Sequence, residues 1–533
     1  MKKSRLRVIS LIIAVVLTLS VFTAVAVGFD IKDSLFNTNT PMYIKVNTSV
    51  TGTIDSSDDY EAYIFEVKQN GVLTVMLFHE TIAESIKCGY IVNLYKIIEN
   101  EEGRVYKELT YFESFWSETA SDWGETGVTP GTYCVIVEPG ADIMHEDFTL
   151  QVYFDDTETF EKEPNDVKEQ ATPISRGYML YGSSSQRKDG VDDDWFVLNL
   201  DSDSCVDISF VHEDLTIPKA GWNITILNDN DEIICDFTSK LTDLRLQTGT
   251  LGLRAGTYYI KVEAQSVVAD CYSILVGIDK ATNFEFEVNN TPETAVNLPQ
   301  NIAISGSLAD RILSIDKDYY KFTVPQRGSV NLYFSHPEIE GNKNGWNIRV
   351  LKRNDIGEYE EFVKKISTWN SKGMNIYNLG LDEGEYYLCV DADSLAYNST
   401  TYSVKWDFTP RNDFEIEPNG SILYAESIDF NTYYNGAIIS SGVNFDEDYY
   451  KFSLNKPTAV SLELGHDKVP DSTIRWTISI VDDKGNVKHT VESSLNEGLV
   501  STGVVTLPAG VYCVKIETGL YGAEIPYYFR LLG

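Results

Sequence analysis

An all-β chain of four tandem β-sandwich domains is the fold the sequence predicts, and three observations predict it. One strand pattern returns four times about 125 residues apart. Its strands alternate apolar and polar residues between Gly, Asn and Asp turns, and no convincing amphipathic helix interrupts them. At 533 residues there is room for four units, each long enough for its own core.

The chain opens with Lys2, Lys3, Arg5 and Arg7, followed by an uncharged apolar run from Val8 to Phe29. This reads as a signal peptide over residues 1–26, with Ala24-Val25-Ala26 fitting a cleavage site. At 22 residues the run also suffices to span a bilayer if it is not cleaved, so an N-terminal anchor stays open. The repeats then fall at 27–156, 157–280, 281–410 and 411–533, with joints in short acidic stretches near Asp155 to Phe160, Asp279 to Phe284 and Asp407 to Phe414.

The first strand of each unit reads Glu61 to Val67, Asp194 to Leu200, Asp318 to Val324 and Asp448 to Leu454. Period-two alternation puts Tyr320, Phe322 and Val324 on one face and Lys321 and Thr323 on the other, the mark of a half-buried strand. A later strand opens on a turn glycine at Gly131, Gly256, Gly384 and Gly510 and continues into Tyr133, Tyr258, Tyr386 and Tyr512. Each unit closes on an aromatic strand, beginning at Phe148, Tyr272, Tyr402 and Tyr527. Four of the six histidines recur at one place, His79, His212, His336 and His466, with Tyr90, Trp222, Trp346 and Trp476 following ten or eleven residues later. One His and one nearby acid per unit is too few for zinc, so these residues are read as core packing rather than as a site.

The chemistry lies in the acidic half of the repeat. Glu161/Glu163/Asn165, Glu285/Glu287/Asn289 and Glu415/Glu417/Asn419 each precede an Asp-x-Asp pair, and each Asn lies 27 residues before its first Asp. The pairs are Asp192/Asp194, Asp316/Asp318 and Asp446/Asp448. Residues i and i+2 of an extended segment point to one side, so each half can present two carboxylates together. Four converging carboxylates repel one another without a cation, and calcium takes six to eight hard oxygens, the Asn carbonyl among them. Crowded carboxylate cages suit magnesium less well. The first repeat has only Asp59 and Glu61, so its site is expected to be absent or degraded.

The formal charge of −37, about −41 without the four N-terminal basic residues, argues against nucleic acid and anionic membranes as partners. The seven cysteines are odd in number and show no Cys-x-x-Cys spacing, which excludes a complete disulfide framework and gives no sign of zinc. Cys134 and Cys513 stand where the second repeat has Tyr259, as a packing position would. A single bridge within the second repeat stays open.

The segments Glu161-Lys-Glu-Pro-Asn-Asp166, Asp192-Asp-Asp-Trp-Phe196 and Gly256-Thr-Tyr-Tyr-Ile-Lys-Val262 resemble the bacterial pre-peptidase C-terminal domain, a family that includes the collagen-binding domains of clostridial collagenases. The resemblance covers four copies, best in the second and fourth and weakest in the first. It implies a jelly-roll-like sandwich and calcium at the fifteen residues of the three acidic motifs, with Val288 replacing the proline in the third.

No His-Glu-x-x-His or Gly-x-Ser-x-Gly is present, and the polar groups recur between copies, whereas catalytic groups are usually unique; no enzyme is expected. The expected function is a secreted, monomeric, calcium-binding array that adheres to an extracellular protein or polysaccharide polymer, four weak contacts adding to one strong one. The alternative is a calcium-stiffened display stalk held by an uncleaved N-terminal helix.

Overall fold

The computed structural model describes residues 40–533 apart from 82–85, 102, 123, 141–146, 189, 214–218, 266–270, 313, 393–398, 440–445, 468–474, 495–497 and 519–525. The segment read above as a signal peptide, residues 1–26, lies outside the described residues. The chain is all-β, and its strands gather into four successive pairs of sheets, each pair closing on its own apolar core.

In the second pair one sheet runs, in spatial order, Thr172–Pro173, Asp193–Leu200, Gly256–Ala264, Ala220–Asn228 and Ile233–Lys240. Its partner runs Met179–Ser183, Cys271–Lys280, Ser204–His212 and Arg245–Gln247, with Leu251–Leu253 also on Ser204–His212. The same orders recur in the other three repeats, starting from Met42–Tyr43, Val296–Asn297 and Glu426–Ser427. In the third repeat Lys317–Val324 buries Tyr320, Phe322 and Val324 while Thr323 faces out, as the alternation requires. Helix is limited, among the described residues, to the single turns Lys168–Gln170 and Pro292–Thr294.

The recurring histidines belong to the core. Trp222, Trp346 and Trp476 are sealed from solvent, with His212, His336 and His466 at ring separations of 4.6, 4.1 and 5.7 Å. His79 stands 5.6 Å from Tyr90. One imidazole nitrogen of each meets the backbone carbonyl of the next residue, and the other lies 2.8–2.9 Å from Ser114, Ser239 and Ser367 in the first three repeats. None of the seven cysteines is bridged, and Cys134 and Cys513 are buried on the outer side of their sheets, where they pack with Tyr106 and Val481.

The repeats dock directly on one another. Gly127, Gly252 and Gly380 occupy one position, and the acidic segment of the next repeat crosses each so closely that an added Cβ would fall on the carbonyl oxygen of Glu161, Glu285 or Glu415. The crossing is hydrogen-bonded: Glu287 N–H donates to Gly252 O and Glu417 N–H to Gly380 O, both at 2.9 Å. The fourth repeat has Thr506 at this position, in the strand Val505–Leu507. Apolar contacts continue across two of the joints, with Ala309 packed into the second core and Ile439 into the third.

Truncating Trp346 to Ala is expected to destabilise the protein by about 3–5 kcal/mol, as for a large buried aromatic, measured by denaturant unfolding. Unchanged stability would contradict the core placement.

Candidate metal centres

The sheet topology brings the two halves of each acidic motif together. The first half runs alongside the strand that follows it, through the bridges Phe160 to Tyr181, Phe284 to Ser305 and Phe414 to Asn435. The second half opens the long strand beside it. The residue after the second Asp then clamps the motif Asn: the N–H groups of Trp195, Tyr319 and Tyr449 donate to the carbonyls of Asn165, Asn289 and Asn419 at 3.0, 3.0 and 3.2 Å. The bonds Glu163–Pro164, Glu287–Val288 and Glu417–Pro418 are all cis, so Val288 follows the same backbone path as the two prolines.

Every predicted residue of the second repeat is buried: Glu161, Glu163, Asn165, Asp192 and Asp194. In the third repeat Glu285, Asn289, Asp316 and Asp318 are buried and Glu287 half-buried; in the fourth, Glu415, Glu417, Asn419 and Asp448 are buried and Asp446 half-buried. Carboxylate oxygens of Glu161, Glu163 and Asp194 lie within 4.8 Å of one another, as do those of Glu287, Asp316 and Asp318 and those of Glu415, Glu417 and Asp448.

Protein groups bond both oxygens of the first Glu of each motif but leave at least one oxygen of most other cage carboxyls without a hydrogen bond. Ser183 N–H donates to Glu161 Oε1 at 2.7 Å, Asn165 N–H to Glu163 Oε2 at 3.1 Å, Ser185 N–H to Asp192 Oδ2 at 3.1 Å and Tyr272 O–H to Asp194 Oδ2 at 2.6 Å. The oxygens left without a hydrogen bond are Glu163 Oε1, Asn165 Oδ1, Asp192 Oδ1 and Asp194 Oδ1, all buried. The third repeat leaves both oxygens of Glu287 and the Oδ1 atoms of Asn289, Asp316 and Asp318; the fourth leaves Glu417 Oε1, Asn419 Oδ1 and Asp448 Oδ1. Buried acceptors are ordinarily satisfied, so a repeated cluster of free oxygens needs a counterpart. A hard cation accepting six to eight oxygens fits that donor set, which holds no nitrogen or sulfur ligand.

Several members of this constellation escaped the sequence reading. Tyr272, Tyr402 and Tyr527, from the last strand of each repeat, donate to Asp194, Asp318 and Asp448. Tyr320 and Tyr450 donate to Glu285 and Glu415 at 2.5 and 2.7 Å. Gly182, Gly306 and Gly436 leave the space that the first Glu of each cage occupies. The repeated aromatic spacing was the available signal, but it reads equally as core. The first repeat shows why it has no cage: Glu61, one carbon longer than the Asp it replaces, turns back to accept from Thr53 N–H at 3.1 Å and from Tyr63 O–H, filling the corner itself.

Burial holds the cage carboxyls above their ordinary range, most of them helped by repulsion from their neighbours. Glu285 is pushed up to about 8 and Glu415 to about 7 from the usual 4.5, and Asp316 and Asp446 to about 6 from 3.8.

No family model matches the chain. Among solved structures, the pre-peptidase C-terminal domain of collagenase from Bacillus anthracis is 16% identical, covers 22% of this chain and 97% of its own, and gives a TM-score of 0.18. The tandem CBM22 pair of Paenibacillus barcinonensis Xyn10C is 11% identical, covering 40% of this chain and 82% of its own at a TM-score of 0.14. The CUB1-EGF-CUB2 region of rat MASP-1 is 10% identical, covering 44% and 99% at 0.13.

The raised carboxyls set a pH dependence. Without metal, the folded cages keep protons that the unfolded chain has released, so stability is present at low pH and falls as pH rises from about 4 through about 8. In chelator the Tm is expected to be higher at pH 5 than at pH 8, and calcium should remove that loss; a chelated Tm that rises with pH would contradict the cages as described.

Proposed function

We propose that the chain is an exported, non-catalytic array of four domains of the pre-peptidase C-terminal kind, bounded at 27–156, 157–280, 281–410 and 411–533. Domains two to four each hold a calcium ion through Glu161, Glu163, Asn165, Asp192 and Asp194 and their counterparts, and the array adheres as a monomer to an extracellular protein or polysaccharide polymer. The observation that carries the metal reading is the set of buried free oxygens facing one another in three repeats.

Several features support a binding role over catalysis. The Ser–His pairs that could suggest a nucleophile and its base are buried, with Ser114 and Ser239 fully inaccessible and Ser367 nearly so. No substrate reaches them. Calcium would neutralise the cages and fix the acidic segment that crosses from one repeat to the next, giving a polymer four presenting units at set spacing. The second reading, a display stalk anchored by an uncleaved N-terminal segment, is favoured by the direct docking of successive repeats at Gly127, Gly252 and Gly380.

Residues 27–533 applied to glycan and matrix-protein arrays in calcium are expected to retain one polymer class, and to lose at least about tenfold in apparent affinity in chelator, as the four weak contacts cease to act together. Binding to no polymer in either condition contradicts adhesion and leaves the stalk.

A further inference from the structure

The three acidic motifs differ at one charged position outside the ligand set. Five positions before the first Asp of each pair the chain has Arg187, Arg311 and Ser441. Arg187 comes from the short hairpin Gln186–Arg187 with Gly190–Val191, which lies on an edge strand of the preceding repeat, Gly103–Phe115. Its Nε–H donates to Leu109 O at 3.1 Å. Leu109 is the extra residue of a bulge, set between Glu108 and Thr110, which pair with Tyr95 and Leu94; the bulge leaves its carbonyl outside the ladder.

The far end of Arg187 enters the cage. Nη2 stands 3.3 Å from Glu163 Oε2 and 3.2 Å from Asp192 Oδ1, an oxygen with no hydrogen bond of its own, and Nη1 pairs with Asp166. The guanidinium is almost wholly enclosed. Arg311 is held to the preceding repeat in a related way: Nη1 donates at 2.5 Å to the carbonyl of Ile233, a residue paired with Leu227 in the matching strand, while Nη2 is buried without a hydrogen bond and its charge favours ionised Glu287 and Asp316.

We propose that Arg187 and Arg311 are internal counter-cations that tether two of the cages to the preceding repeat, so that the chain carries two weaker, arginine-bridged calcium sites and one tighter, unbridged site at Glu415, Glu417, Asn419, Asp446 and Asp448. This rests on the calcium reading above. The sign follows from charge. A buried arginine neutralises part of the empty cage and repels an entering divalent ion, so it stabilises the metal-free state relative to the loaded one. It also fastens the first two joints without metal, through the carbonyls of Leu109 and Ile233, whereas the third joint is held by Arg327, which donates to Phe414 O at 2.7 Å and pairs with Glu426, and the sequence there has Ser441 in place of the cage arginine.

Calorimetric titration of residues 27–533 with calcium tests this. The expected isotherm has one tight site and two sites weaker by about tenfold or more. Arg187→Met with Arg311→Met should bring the weak pair towards the tight class, Arg187→Lys should stay close to the parent, and Ser441→Arg should abolish the tight class. Three equivalent sites in the parent, or arginine variants that bind calcium no better, would overturn the proposal while leaving the calcium reading intact. No calcium bound at any site would overturn that reading itself.

Discussion

Four carboxyl groups, most of them buried, gathered at each of three joints are the constraint on which the rest of this molecule turns. Taking one ionised carboxylate out of water is costly, and placing four within a few ångströms adds mutual repulsion. The fold answers with backbone N–H groups, tyrosine hydroxyls and, in two cages, an arginine, yet it still leaves oxygens facing inward with nothing to accept. That residue of unmet charge is what a divalent cation would supply. It also explains why the cages lie where they do, since the acidic segment is both a ligand strip and the strap that crosses a glycine of the preceding repeat.

The sandwich and the cage depend on each other through single side chains. Tyr272 lies in the core against Phe196 and Phe210 while its hydroxyl fixes one oxygen of Asp194. The core therefore orients the ligand, and the ligand gives a buried hydroxyl its partner. The first repeat shows the other solution open to the fold. Without the Glu-x-Glu segment, Glu61 turns inward, takes up Thr53 N–H and the Tyr63 hydroxyl, and closes the corner without a cage.

Most of the strands were legible because alternation reports burial directly: Tyr320, Phe322 and Val324 face the core for the reason their spacing suggests. The coming together of the acidic halves was legible too, because the separation of 27 residues recurs without change. What stayed hidden was whatever depends on distant pairing. Tyr527 meets Asp448 only because the last strand lies in the sheet that faces the strand of Asp448, and no local pattern records that. Arg187 and Arg311 carry no local signal of their role, since the carbonyls they bond belong to another repeat. Gly127, Gly252 and Gly380 carry no pattern in the sequence that marks where a crossing backbone must be admitted.

The claim that these cages are metal centres is tested most directly by counting ions. Residues 27–533, equilibrated with calcium, freed of unbound metal and analysed by elemental mass spectrometry, should retain three calcium ions per chain, and a chain with Asp194→Asn, Asp318→Asn and Asp448→Asn should retain none. A parent chain that retains no calcium while remaining folded would contradict the account.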